Sequence, residues 1–428
     1  MRVVVAFDEP YPAGDLVLVP DRNLITGVKE LRSQLGSLST LEVDLLLFAA
    51  AVFAADIAAK RGERELITRD FQLCVPVVNL QAFQRHKDQI ENILYLLSDD
   101  NWDIEFIART GPSEPMTMWP TADGRTLLFS GGLDSFAASV DLLDAQVPLQ
   151  LASHYTANPV IKGSQETLFA YLKDQYGDTI RRIAARVTGQ KSNELLFPAD
   201  AQREPTQRTR SFMFLVIAAL AARRSGYHEL VMIAENGQMA IHLPLTNARL
   251  GAFSTHTAHP EVVHEMQEFL SGLLAFRFVL TNPFLYKTKA ECIGNLVLGH
   301  RPAIESAVSC WKSSRQALSH CGACVPCLVR RIALEHHGVR LAEYVRDLFV
   351  EDIGALSVDD VGKRNLTELC EFITWFGGEY TDAELRDEFP DLINEHVDAQ
   401  QAIAMYRRSA GEAREVLRGY QNVQRILG

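Results

Sequence analysis

The 428-residue chain has no apolar run of membrane-spanning length. The stretch from Leu45 to Ala55 falls well short of the roughly 20 residues a spanning helix needs, so it reads as a buried helix. Signal-peptide architecture is lacking too, since Met1-Arg2-Val3-Val4-Val5 runs almost straight into Asp8 and Glu9. Basic residues do not predominate: 42 Lys and Arg stand against 54 Asp and Glu, a net charge of −12. That balance argues against a general nucleic-acid surface. There is no internal repeat and no low-complexity tract. The seven cysteines form no evident disulfide framework, because four of them crowd between 310 and 327. Such crowding suits metal binding in a reducing compartment, and a cytoplasmic protein is expected.

What is present is a globular composition, 47% hydrophobic and 22% charged, in a chain long enough for two or three domains. Its organising stretch is Leu127-Leu128-Phe129-Ser130-Gly131-Gly132-Leu133-Asp134-Ser135. Three large apolar residues read as a short buried strand, the glycine pair breaks it, and helical spacing resumes from Phe136 to Leu143. A strand, a Gly-rich turn and a helix start gather backbone N–H groups around one concave spot, which suits a phosphate or pyrophosphate. Ser130 and Ser135 add hydroxyls, and Ser135 or Asp134 is positioned to cap the helix. No lysine follows the glycines, so this is not a Walker-type loop.

Residues 1–119 read as an N-terminal α/β region. Strands are expected at Val3–Phe7, Leu16–Val19, Phe71–Val78 and Trp102–Ala108. Leu41–Lys60 reads as a helix apolar nearly all round, Phe83–Leu97 as an amphipathic helix, and Thr110-Gly-Pro-Ser-Glu-Pro as a linker. From Arg125 strands and helices alternate as in a doubly wound parallel sheet. Further strands are expected at Leu149–His154, Ile180–Val187 and Glu229–Ala234, with helices at Gln165–Tyr176 and Arg210–Arg224. Ligands of such sheets bind beyond the carboxyl ends of the strands, which puts Ser130–Ser135, His154-Tyr155 and Glu235-Asn236 on one rim. Arg208 and Arg210 begin a long helix from which a guanidinium can reach phosphate oxygens. Arg249 and the polar run Ser254–Pro260 suit a substrate loop or a satisfied turn equally. Thr288 is expected to cap a helix with Glu291 in the capping-box position.

Cys310, Cys321, Cys324 and Cys327 have the C-x10-C-x2-C-x2-C spacing of four ligands around one tetrahedral ion. Zinc in a closed, structural site is expected; an iron–sulfur cluster and buried unligated thiols are the alternatives. The region 341–428 reads as a helical tail, with amphipathic Leu366–Phe376 and a final helix from about Ala399 to Ile426.

SGGLDS after an apolar strand resembles the signature of the PP-loop ATP pyrophosphatases, of the adenine nucleotide α-hydrolase-like fold. Together with Lys287-Thr288-Lys289-Ala290-Glu291 and CGACVPCLVRR, it resembles the 7-cyano-7-deazaguanine synthase (QueC) family over about residues 125–340. The resemblance implies that Ser130, Gly131, Gly132, Asp134, Ser135 and Arg210 bind ATP, with Asp134 and Ser135 catalytic, and that Mg²⁺ assists. It implies zinc at the four cysteines, and weaker substrate roles for His154, Glu235, Asn236, Lys287 and Lys289. The family adenylates 7-carboxy-7-deazaguanine, then admits ammonia and dehydrates the amide to a nitrile. This chain departs from the family in its long N-terminal region and in Ser153-His154-Tyr155-Thr156-Ala157-Asn158 after the second strand. Long QueC-like proteins of this build resemble those of bacterial antiphage defence operons (the Qat type and a class of CBASS). That resemblance implies partner proteins from the same operon, one of them modified with a deazaguanine. PP-loop tRNA sulfur transfer, another adenylating ligase, and a non-catalytic ATP-binding subunit are the alternatives.

Overall fold

The computed structural model describes the chain apart from residues 63–67, 112–113, 116–121, 157, 193, 228–230, 246–255, 314–319, 342–343 and 428. Pro112-Ser113 of the expected linker, Arg249 and Ser254-Thr255 therefore lie outside the described residues. The N-terminal region runs β1 (Arg2–Val5), β2 (Leu16–Leu18), β3 (Leu24–Ile25), α1 (Val28–Leu35), α2 (Thr40–Ala58), β4 (Asp70–Val77), α3 (Leu80–Arg85), α4 (Lys87–Ser98) and β5 (Asn101–Ala108). Four of its strands make a parallel sheet in the order β2-β1-β4-β5. The helix expected over Phe83–Leu97 is two, because His86 leaves helical geometry at φ −107°, ψ 8°.

α2 begins with a Ser39–Glu42 capping box and is buried at every residue from Asp44 to Ile57. Its apolar surface all round is used on all sides, because it packs against β4 and also against a helix of the second sheet. Its two buried carboxylates are tolerated because each is bonded. Asp44 accepts from the Val78 and Asn79 amides at 2.9 and 3.0 Å, and Asp56 meets Arg69 at 2.5 Å.

The second region holds β6 (Arg125–Leu128), α5 (Leu133–Asp144), β7 (Leu149–Tyr155), α6 (Pro159–Tyr176), β8 (Ile180–Arg186), β9 (Thr188–Gly189), α7 (Arg210–Ser225), β10 (Val231–Met232), α8 (Gly237–Ile241), α9 (Pro260–Leu274), β11 (Leu280–Thr281), α10 (Lys289–Gly299) and α11 (Arg301–Ile304). Five strands form an all-parallel sheet in the order β11-β10-β6-β7-β8. α6 starts six residues earlier than its apolar periodicity suggests, because Asn158 caps it and Pro159 presets its first turn. The strand expected at Glu229–Ala234 is paired over Val231–Met232, with 229–230 outside the described residues.

Helices cover both faces of this sheet. On one face α7 packs with α2, and their core continues into the N-terminal sheet through Phe48, Phe71, Phe212 and Leu215. On the other face Phe129, Phe136, Leu168 and Ile293 join α5, α6 and α10. The order of connection reverses between β6 and β10, so the crevice beyond their carboxyl ends is the switch point at which such sheets hold ligands.

The remainder is helical: α12 (Val325–His336), α13 (Val361–Thr374), α14 (Asp382–Glu388), α15 (Ala399–Leu417) and α16 (Gln421–Leu427). The single final helix expected is two, broken by a turn at Arg418–Tyr420. These helices and α12 share a core that includes Leu328, Ile332, Leu366, Phe372 and Tyr406. Among the described residues, no helix is long and apolar enough to cross a membrane.

Candidate functional site

The Ser130–Ser135 turn sits at the switch point, between the ends of β6 and β10. Gly131 takes φ +85°, and a Cβ there would lie 3.0 Å from Ser164 Oγ and 3.1 Å from Gln165 Cγ. Both the left-handed backbone and the close approach of α6 therefore call for glycine. The carbonyl of Gly131 accepts from Ser164 Oγ at 2.7 Å and from the Val308 amide at 2.9 Å. Gln165 Nε2 spans the carbonyls of Ser130 and His154 at 3.3 and 3.4 Å.

Neither Ser135 nor Asp134 caps α5, contrary to expectation. Both stand inside the first helical turn; Ser135 Oγ donates back to the Gly132 carbonyl at 3.1 Å. The cap residue is Gly132, which has no side chain to bond the first turn. That turn thus keeps N–H groups and the positive end of the helix dipole for an external acceptor.

Asp134 is fully engaged. Lys289 Nζ stands 2.6 Å from Oδ1, and Asn236 donates from Nδ2 to Oδ2 at 2.9 Å. Thr288 holds Lys289 in place by the expected capping box with Glu291. Beside this pair, the carboxyl of half-buried Glu235 has no hydrogen-bond partner among the described residues. Burial, followed by the negative charge of Asp134, pushes it up to about 7.

A carboxyl raised in the fold stabilises the protein fully below its unfolded value of about 4.3. That contribution is lost as pH climbs through 7, at about 1.4 kcal/mol per unit of displacement. Glu235→Gln, which cannot ionise, is therefore expected to melt further above the wild type at pH 8 than at pH 5. Thermal melts across that range check it, and a difference independent of pH would contradict it.

The remaining rim residues divide. Arg210 has a buried Nε with no hydrogen-bond partner, and no carboxylate pairs with its guanidinium among the described residues. Burial lowers its pKa. It stands beside His154, where an anion would satisfy it. His154 itself turns away from the crevice: Nε2 bonds the Val187 carbonyl at 2.9 Å and the ring meets Phe53 edge-on. Burial, then the charge of Arg210, lowers it to about 3, so it is a neutral core imidazole. The substrate contact expected of His154 fails for this reason. Arg208 is likewise withdrawn, meeting the Ser98 carbonyl at 3.1 Å and Asp99 at 2.9 Å. Lys287 is exposed, its ammonium 5.1 Å from the Phe284 ring centroid, while its helix neighbour Lys289 enters the crevice.

The four cysteines converge, and their sulfurs all lie within 4.8 Å of one another. Cys310–Cys324 is 3.9 Å and Cys321–Cys327 is 4.0 Å. Sulfurs about 2.3 Å from a tetrahedral ion stand roughly 3.8 Å apart, so the cluster fits a metal such as zinc. All seven cysteines are free, which excludes disulfides here. The backbone is shaped to the task. Gly322 takes φ +74°, and a Cβ there would fall 1.9 Å from the Arg346 carbonyl. The tight turn aims the Ala323 and Cys324 amides at Cys321 Sγ, at 3.4 and 3.3 Å. Hydrogen bonds from the other thiols, Cys310 first, push Cys321 strongly down, toward the thiolate a metal requires.

Sequence reasoning missed the residues that join the two features. Asn158 Nδ2 donates to the Ser313 carbonyl at 2.9 Å, tying the end of β7 to the cysteine element. Val308, just before Cys310, donates to Gly131. Fully buried Arg330 grips the Ile304 carbonyl at 2.9 Å, and His320 Nε2 accepts the Ser309 amide at 3.3 Å. A lone Asn, Gln or His gives no periodic signal, so only the fold makes these partners visible. In comparisons with known proteins, no family model and no curated protein matches this chain.

Proposed function

We propose that the chain is an ATP-dependent ligase that adenylates a carboxylate and releases pyrophosphate. The observation that carries this reading is the glycine turn, seated at the switch point with the first turn of α5 free of any side-chain cap. Its amides and the hydroxyl of Ser130 would hold the β,γ-phosphates, and unpaired Arg210 would neutralise an oxygen of the same nucleotide. Mg²⁺ would supply charge neutralisation between phosphate oxygens. Both oxygens of Asp134 are occupied by Lys289 and Asn236, so Glu235 is the carboxylate free to hold the ion. Lys289, kept in place by Asp134, would stabilise negative charge as the carboxylate attacks the α-phosphorus.

The carboxylate is that of 7-carboxy-7-deazaguanine, as the resemblance of the loop, the KTKAE stretch and the cysteine element implies. The four cysteines bind zinc structurally, since four sulfur ligands leave no open position. The acceptor is a nitrogen nucleophile, and the resemblance implies ammonia, giving the nitrile, or an amino group of a partner protein in antiphage defence. Sulfur transfer finds less support. It needs a reactive thiol near the loop, whereas Cys292 is buried with its pKa raised by desolvation, and four of the others cluster as ligands.

The test is chromatography of nucleotide products after incubation with ATP, Mg²⁺, 7-carboxy-7-deazaguanine and an ammonium salt. AMP and pyrophosphate are expected; ADP, or no turnover with the carboxylate present, would overturn the proposal. Intact masses of operon partners then distinguish free nitrile from a deazaguanine attached to protein.

A further inference from the structure

A cavity of about 270 Å³ adjoins the crevice, walled by α8, α12, α13 and α15. It touches the crevice at Lys289 and at Gln238, whose Oε1 accepts the Lys289 amide at 3.2 Å. Much of its wall is apolar, with Leu243, Val329, Ile332, Leu369 and Phe372 facing inward. Among the described residues its charges do not balance. Three carboxylates line it, those of Asp99, Asp391 and Glu412, against one ammonium, that of Lys289. Arg208 offsets Asp99 at 2.9 Å, but Lys289 is already paired with Asp134. Two imidazoles also face it and bring no charge at neutral pH, because burial lowers His242 to about 4 and lowers His256 as well.

Glu412 stands at the Lys289 end. Its Oε1 accepts from Thr288 Oγ1 at 2.8 Å, and its second oxygen has no hydrogen-bond partner among the described residues. The nearby Arg408 is bound to Glu291 at 2.6 Å. A largely apolar cavity with an under-used carboxylate at its inner end recognises a cation on an apolar body. Ammonia would gain nothing from such walls.

We propose that this cavity is an amine site. It holds a small primary amine by its apolar body, with the ammonium at Glu412, and presents the nitrogen to the loop. The amine's use rests on the adenylation reading; its binding does not. In that use the ammonium gives one proton to Glu412, and the freed nitrogen lone pair attacks the acyl carbon of the adenylate. The acyl–oxygen bond to AMP breaks, AMP leaves with the electron pair, and the new amide nitrogen releases its second proton to solvent.

The experiment titrates phenethylamine, phenethyl alcohol and 3-phenylpropionate into the full chain without ATP, by calorimetry. The amine is expected to bind at least about tenfold more tightly than the alcohol or the acid, as a charged hydrogen bond would give. Glu412→Gln keeps the bond from Thr288 and should abolish that preference without lowering the melting temperature. Ala410→Phe, which fills the chamber, should abolish amine binding. Equal binding of the three probes, or a preference that survives Glu412→Gln, overturns the proposal. ATP–pyrophosphate exchange with 7-carboxy-7-deazaguanine is run on the same protein. Amine binding without exchange would overturn the adenylation reading alone.

Discussion

Chelating the metal from the four-cysteine element, or replacing Cys324 with serine, is expected to collapse much more than the element. Structural zinc sites in small domains carry apparent binding energies of about 10–16 kcal/mol, and ligands left without an ion are buried thiols crowded together. Here the loss would spread by identifiable bonds. Val308 and Ser313 flank Cys310 and hold the Gly131 carbonyl and Asn158, and α12 opens at Cys324 and carries the core of the C-terminal helices. Purified protein should contain about one zinc per chain. Thermal melts with a strong chelator should show a large downward shift, together with loss of ATP turnover. Protein that carries neither zinc nor iron, or that melts unchanged after chelation, would refute this.

Lys289→Ala is expected to lower AMP formation by about 10²–10³, the usual scale for losing one preorganised electrostatic donor. It also leaves Asp134 and Glu235 facing each other in a partly buried crevice with no cation between them. Removing one partner of a buried ion pair typically costs about 3–5 kcal/mol. The double variant Asp134→Asn, Lys289→Ala should therefore recover much of the lost melting temperature while remaining inactive. Such a cycle separates the pair's role in the fold from its role in turnover. Recovery of activity in the double variant, or a single variant as active as the wild type, would sink the assignment.

The strand, glycine turn and helix around Ser130 were legible because strand pattern, turn chemistry and helical spacing all lie within one short window. The cysteine element was legible for the same reason. The electrostatics were not. Lys289 neutralises Asp134 from 155 positions away, and the sequence gives Lys287 and Lys289 equal standing until the capping box at Thr288 sets which one points inward. His154 lies at the end of its strand as the rim rule requires, yet its side chain turns to Val187, since alternation along a strand decides facing and the rule does not. Helix interiors were easier than helix ends. The breaks at His86 and Arg418–Tyr420 interrupt continuous apolar periodicity, with no proline to mark them.

One bond at the start of α7 carries a consequence for how the molecule can move. Asp56, near the end of α2, accepts both the amide and the hydroxyl of Thr209 at 2.9 Å, and Thr209 precedes Arg210 directly. The same carboxylate is gripped by Arg69, which also holds Asp100 at the foot of β5. The N-terminal sheet is therefore bonded, through Asp56 and Arg69, to the residue that precedes Arg210. A small rotation of α2 would carry the start of α7 with it, so the first hundred residues and that end of the second sheet's helix layer move as one body.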